Sequence, residues 1–153
     1  MTGYLRKTIL TGFAALILGL GLSGPAMADS HEIKFRQSVM KSVGGAMGGL
    51  AAVLKGQASA EHANALSHVM YNLSLVVPHV FPEGSDFGET EALIAIWQKP
   101  ADFKIAVQNF QSAALNLSKV THGGDMQAFG QAFGVLGKAC KDCHENFRKK
   151  KEK

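Results

Sequence analysis

Apolar residues recur at alternating intervals of three and four in four segments of this 153-residue chain. The last segment shows the repeat most fully, at Met126, Phe129, Phe133, Leu136, Cys140, Cys143 and Phe147. Similar spacing runs through 35–54, 63–80 and 103–120. Alternating steps of this kind place apolar side chains on the face of a helix that packs in a bundle. The pattern therefore predicts an all-α chain of four helices, and no segment shows the sustained period-two alternation of a strand.

Residues that start or stop helices separate the four segments. They are Gly56, Ser59, Pro78, Pro82, Pro100, Gly123, Gly124 and Asp125. Gly56 is expected to end the first helix, Ser59 to cap the second and Asp125 to cap the fourth. The second and third helices are joined by a longer link, in which residues 89–98 are expected to form a short helix across the bundle. These connections predict an antiparallel up-down four-helix bundle with one longer crossover.

The N-terminal segment has the organisation of an export signal. Two basic residues precede an apolar run at 9–22, and the triplet Ala-Met-Ala at 26–28 gives a small-x-small cleavage pattern. We therefore expect residues 1–28 to be a cleaved signal peptide and 29–153 to be the working domain. The alternative is a membrane anchor, but the apolar run is shorter than the ~20 residues that span a bilayer. Export predicts an oxidising compartment, most simply a bacterial periplasm, and no membrane anchor after cleavage.

The only two cysteines of the chain lie three residues apart and are followed directly by a histidine, in Cys140-Lys-Asp-Cys143-His144. C-x-x-C-H is the attachment pattern of a c-type haem. Two thiols one helical turn apart can each add to a vinyl group of the same porphyrin, and the next residue offers an imidazole to the iron. A thioredoxin-like dithiol would need a βαβ setting, structural zinc would need four ligands, and a disulfide over so short a loop would contribute little stability.

Met40 is the candidate for the side of the iron that faces His144. In an up-down bundle the first helix starts where the last one ends. Met40 lies 11 residues beyond Asp29, the first residue expected after cleavage, and His144 lies 9 residues before the C-terminus, so their heights in the bundle are similar. A thioether is a known axial ligand of haem iron. Alternatively, Met40 packs over the haem without bonding to iron, which leaves the iron five-coordinate. The other methionines and histidines of 29–153 are not expected to ligate: Met47, Met70, Met126, His31, His62, His68, His79 and His122.

Four glycines at 44, 45, 48 and 49 interrupt the first predicted helix. Each costs up to about 1 kcal/mol relative to alanine in a helix interior, so the run calls for a reason. Close approach of the haem edge or of another helix would supply one, and a homodimer interface built from the first two helices would supply another. The remaining alternative is that this helix is simply weak.

Four stretches of the mature sequence resemble the class II c-type cytochromes, the cytochrome c′ family. They are FRQSVMKSVGG, AAVLKGQ, AIWQKPADF and VLGKACKDCHENFRKK. The resemblance implies one covalent haem on Cys140 and Cys143, with His144 as the axial ligand. It also implies that Arg36 and Gln37 contact the haem propionates, that Met40 occupies the distal position and that Arg148 tunes the iron. The alternative for both arginines is a plain surface cation.

Two functions are open to such a protein. The stretch around Met40 and the C-terminal HENFRKK look closer to the low-spin, methionine-ligated branch of the family, which predicts an electron carrier with redox protein partners. The alternative is a five-coordinate, high-spin cytochrome c′ that binds nitric oxide or carbon monoxide. An enzyme such as a peroxidase is not expected, because the seam near Met40 offers Val39, Val43 and Met47 rather than an acid–base pair. The chain has no aromatic-interleaved basic patch for nucleic acid.

Overall fold

The structure is a computed structural model that describes the backbone of residues 26–150 and the side chains of residues 31–150. It contains helices α1 (Ala26–Leu54), α2 (His62–Val76), α3 (Ala95–Gln98), α4 (Pro100–Val120) and α5 (Met126–Phe147), with 3₁₀ turns at Val77–His79 and Thr121–Gly123. Within the described part of the chain there is no strand, and one isolated antiparallel bridge joins Ala92 to Arg148. The predicted four-helix bundle is confirmed. The predicted export signal lies almost wholly outside the described residues, and its cleavage stays a prediction.

Four of the predicted helix signals act as expected. Gly56 (φ 68°) and Gly124 (φ 70°) adopt the left-handed conformation that stops a helix. Pro100 is the first residue of α4, where its missing N–H costs nothing. The Asp125 side chain accepts hydrogen bonds from the backbone N–H groups of Gln127 and Ala128, at 2.9 and 3.0 Å, and so caps α5.

Two local predictions were wrong. Ser59 does not cap α2, which begins at His62 with Glu61 in the cap position and no side-chain cap. The Ser59 carbonyl instead accepts the His62 N–H in a turn. The short crossover helix covers only Ala95–Gln98, because the residues before it hydrogen-bond to the end of α5 rather than to their own turn.

The helices pack side by side around three sides of the bundle, as α1 against α2, α2 against α4 and α4 against α5. The fourth pairing, α1 against α5, is almost absent. The fully buried side chains Leu50, Leu117 and Phe129 fill the end of the bundle where α4 leads into α5, and fully buried Leu136 lies at the middle of α5. The other end, where α5 finishes, is therefore open along the seam between α1 and α5.

The glycine run of α1 has more than one environment. A Cβ added at Gly49 would lie 3.0 Å from Leu66 Cδ1 of α2, which confirms a close approach of another helix at this position. Added at Gly44, Gly45 or Gly48 it would meet nothing within 4 Å. Gly44 belongs to the wall of the seam between α1 and α5. Only Gly49 is thus explained by helix packing.

Candidate functional site

A cavity of about 580 Å³ occupies the open seam between α1 and α5. Its walls are α1 and the C-terminal half of α5, and α4 contributes Phe103, Ala106, Val107 and Phe110. The volume lies in the range of about 300–1,000 Å³ that is typical of ligand and cofactor pockets. The cavity lies where the backbones of the first and last helices stay apart.

Cys140, Cys143 and His144 line the α5 wall of this cavity together. All three are partly exposed, and the two cysteines are not joined to each other. Burial raises the pKa of the Cys140 thiol, and burial together with neighbouring Cys140 raises the pKa of Cys143 to about 11. Both thiols are therefore neutral at physiological pH. Burial and the nearby Arg148 lower the pKa of His144, while Glu91 raises it, so the neutral imidazole that ligates metals is favoured.

The opposite wall of the cavity belongs to α1, which contributes polar Arg36, Gln37 and Lys41 towards its N-terminus and an apolar stretch beside and after them. Met40, Val43, Gly44 and Met47 form that stretch, and Met40 is half-buried against the core. The sequence placed Met40 at the height of His144, and the two residues do line the same cavity. Met47 lines it as well, which the height argument did not anticipate.

Among residues 31–150, the remaining methionines and histidines lie away from the cavity, and their absence from the iron stays a prediction. Met70 is fully buried in the core, and Met126 is 39% exposed at the far end of α5. The side chains at 31, 62, 68, 79 and 122 are exposed histidines, none of which lines the cavity. His122 makes a 3.2 Å hydrogen bond with Asn64.

The residues present fit a haem c. The cavity has mostly apolar walls, as a porphyrin ring needs, and two thiols one helical turn apart open into it with an imidazole beside them. Among residues 31–150, no group of three or more His, Cys, Asp or Glu side chains comes together to hold a bare metal ion. Cys140, Cys143 and His144 are the residues that would hold the haem, through two thioether links and one bond to iron.

Residues 80–93, here called the crossover strap, close the cavity at the end of the bundle. The strap is fastened to α1 by Arg36, which is only 4% exposed. The Arg36 Nη1 group donates to Ser85 Oγ at 2.8 Å and to the Val80 carbonyl at 3.3 Å. Its Nη2 group donates to the Ser85 carbonyl at 2.9 Å and to Thr90 Oγ1 at 2.8 Å. Burial lowers the pKa of Arg36, and Glu32 offsets part of this effect.

Arg36 and Gln37 both line the cavity, but their hydrogen bonds go to the strap. The Arg36 guanidinium lies 5.0 Å from the centre of the Phe81 ring, and Gln37 Nε2 donates to the Glu89 carbonyl at 2.9 Å. The view of Arg36 as a surface cation is therefore wrong, because its charge is buried. Its contact with a haem propionate stays a prediction, for which Nε–H is the donor that the strap leaves free.

The strap is also paired with the end of α5. The Leu93 N–H donates to the Phe147 carbonyl at 3.0 Å, and the Lys149 N–H donates to the Glu91 carbonyl at 2.8 Å. Arg148 Nε lies 4.0 Å from Glu91 Oε2, and both side chains line the cavity beside His144. Arg148 thus lies close to His144, as its predicted role requires.

Sequence reasoning missed the contribution of the strap. Phe81, Thr90 and Glu91 line the cavity, yet none was a candidate. The strap has no helical periodicity, and its place over the cavity depends on contacts with α1 and α5 that are distant in sequence. The only local signal was the pair of glycines at 84 and 88, which have positive φ angles of 80° and 100° and mark an irregular segment.

Comparison with known proteins agrees with this geometry. The sequence profile of the family described as Cytochrome C' matches residues 31–148. The chain belongs to the cytochrome c′ family. It is 35% identical to cytochrome c' of Pararhodospirillum photometricum over 122 residues, which cover 76% of this chain and 94% of that protein. It is 33% identical to cytochrome c-556 of Agrobacterium tumefaciens over 78% of this chain and 98% of that protein.

Solved structures of the family share the fold of this chain. The nitric oxide complex of a variant of cytochrome c prime from Alcaligenes xylosoxidans superposes with a TM-score of 0.74 at 34% identity and covers 80% of this chain and 97% of that one. Its family membership makes this protein a monohaem cytochrome with one covalently bound haem c, of the electron-carrier and ligand-binding class. No helix in the described part of the chain is long and apolar enough to cross a membrane.

Proposed function

We propose that this chain carries its haem on Cys140 and Cys143, with His144 as the axial ligand, and binds nitric oxide or carbon monoxide on the side covered by Met40. The observation that carries the proposal is the cavity between α1 and α5, with C-x-x-C-H on one wall and the apolar stretch of Met40, Val43, Gly44 and Met47 opposite. When bound, a haem supplies an iron that changes oxidation state and accepts a diatomic gas as a ligand.

The residues of α5 divide the task of holding the group. Cys140 and Cys143 lie one turn apart on the same cavity wall, so both can form thioethers to one ring without a change of backbone. His144 follows at once in the helix and shares that wall. Its lowered pKa keeps the imidazole neutral and able to bond to iron.

The wall of α1 suits a small apolar gas. Val43 and Met47 bring no hydrogen-bond donor or charge to the cavity beside Met40. Gly44 adds open space, because a Cβ there would meet no atom within 4 Å. Met40 can therefore cover this side and still swing away for an incoming ligand.

The solved relatives favour the same function. Both the nitric oxide complex already described and a carbon monoxide complex are known for variants of the Alcaligenes xylosoxidans protein. This supports the gas-binding alternative more than the low-spin electron carrier with Met40 on the iron. The second candidate is kept because Met40 lines the cavity with a thioether, which is a known iron ligand.

An absorption spectrum of the purified protein, with and without carbon monoxide, separates the two functions. An open iron gives high-spin ferric bands, and the ferrous protein takes up carbon monoxide. Substituting Met40→Ala then speeds gas binding without changing the resting spectrum, and Met47→Ala, seven residues further along the same wall, should speed it less. The proposal fails if the wild-type protein shows a low-spin methionine-ligated spectrum and resists carbon monoxide until Met40 is replaced.

The assignment of the thioethers has its own test. The mass of the secreted protein should equal the processed chain plus one haem, and the haem should stay attached after denaturation. The Cys140→Ser and Cys143→Ser variants should each lose one link, and the double variant should lose the haem on denaturation. A wild-type mass without haem would remove the basis of the whole proposal.

The proposal also covers where the protein is located and which partners it has. The N-terminal signal pattern supports a periplasmic location, where a redox protein would exchange electrons with the haem. A homodimer through α1 and α2 is also proposed, because Gly45 and Gly48 have open space outside them. One solved relative at 29% identity is described as undergoing a ligand-controlled dimer dissociation.

A further inference from the structure

The strap holds one acidic side chain beside the axial histidine. Backbone hydrogen bonds fasten the strap to the chain just after His144, since Lys149 N–H donates to the Glu91 carbonyl at 2.8 Å and Leu93 N–H donates to the Phe147 carbonyl at 3.0 Å. The bridge between Ala92 and Arg148 is part of the same pairing. Glu91 is thus positioned by its backbone and not by a mobile surface loop.

Two opposite charges therefore lie beside His144 on the cavity wall. Arg148 Nε lies 4.0 Å from Glu91 Oε2, and the two side chains are 42% and 57% exposed. Both line the cavity together with His144. They act on the imidazole in opposite directions, because Arg148 lowers the pKa of His144 and Glu91 raises it. Arg148 is therefore accompanied by an acidic residue, Glu91, that opposes its effect on His144.

We propose that Glu91 is a positioning residue that offsets the charge of Arg148 beside His144 and so lowers the reduction potential of the iron. The inference rests on the proposed ligation by His144. A carboxylate near the iron stabilises the oxidised state, which carries one more positive charge, and a guanidinium stabilises the reduced state. Reduction adds one electron from an external donor and makes or breaks no bond to Glu91.

The expected change in reduction potential depends on how exposed the Glu91 and Arg148 side chains are. Both side chains are about half exposed, so water and salt screen their fields, and the change is smaller than for a buried charge. We expect removal of either charge to change the reduction equilibrium constant by about three- to tenfold, where tenfold corresponds to about 59 mV for one electron. The change should shrink as salt concentration rises.

The experiment is a redox titration of the haem-loaded protein against dithionite and ferricyanide. Glu91→Gln should raise the potential, Arg148→Gln should lower it, and the double variant should return close to the wild type. Glu89→Gln is the matched control, because this exposed acid lies two residues away on the same strap and does not line the cavity. Glu91→Asp keeps the charge and should restore most of the wild-type potential.

The outcomes separate this inference from the proposed function. Glu91→Gln retains the backbone bonds between the strap and α5, so its thermal unfolding should match the wild type. A normal His-ligated spectrum with an unchanged potential in Glu91→Gln, or a shift equal to that of Glu89→Gln, overturns the role of Glu91 alone. A protein that lacks haem, or whose spectrum survives replacement of His144, overturns the proposed function first.

Discussion

The hydrogen bonds between Arg36 and the strap should make Arg36→Ala one of the most destabilising changes outside the hydrophobic core. The guanidinium makes four hydrogen bonds to the strap, two of them with Ser85, which is only 1% exposed. At a net contribution of about 1 kcal/mol each, their loss would cost about 4 kcal/mol. Relief of the cost of burying the charge, together with access of water to half-buried Thr90, reduces this to about 3 kcal/mol.

The loss in free energy of unfolding is measured by denaturing the haem-loaded protein with guanidinium chloride and following its far-ultraviolet circular dichroism. Gln37→Ala is the matched control, because Gln37 makes one exposed hydrogen bond to the same strap and should cost well under about 1 kcal/mol. Arg36→Lys keeps the charge but cannot reproduce the fork of donors, so it should fall between the two. If Arg36→Ala costs no more than Gln37→Ala, Arg36 does not hold the strap, and the description of the cavity end is wrong.

Three further predictions concern the stability of the bundle, and the same unfolding experiment tests them. Asp125→Ala removes the cap of α5 and should cost about 1 kcal/mol, whereas no loss would mean that the cap is not formed in solution. Gly48→Ala should stabilise α1 by about 0.5–1 kcal/mol. Gly49→Ala should stabilise it less, because the added Cβ would lie 3.0 Å from Leu66 Cδ1. Equal stabilisation by the two variants would contradict the close packing of Gly49 against Leu66. Leu136→Ala, at a fully buried position, should cost about 2–5 kcal/mol, and a cost below about 1 kcal/mol would place it outside the core.

Periodicity predicted the bundle because helix faces are encoded locally. The three-and-four spacing of α5 marks Phe129, Leu136 and Phe147, and all three are buried. The same local logic places Cys140 and Cys143 on one wall, because residues one turn apart share a face whatever the helix packs against.

The strap could not be predicted in the same way. Its contacts join residues more than 40 positions apart, such as Arg36 with Val80 and with Ser85, and no spacing in the sequence announces them. The helix predicted at 89–98 is present only at Ala95–Gln98 for the same reason, since the end of α5 offers hydrogen-bond partners that only the folded chain brings near. Glu91 was missed because nothing in its neighbours on the chain distinguishes it from the other acids of this segment.

The open seam explains why covalent attachment suits this fold. A four-helix bundle usually buries four helix pairs, but α1 and α5 scarcely meet here, and the cavity occupies the space between them. A group that fills this space takes over packing that another chain would obtain from side chains, so its loss would remove part of the core. The thioethers that we propose at Cys140 and Cys143 would prevent that loss, while the strap closes the end of the cavity through Arg36. Stability and haem retention should therefore be coupled in this protein, because the same helix α5 serves both.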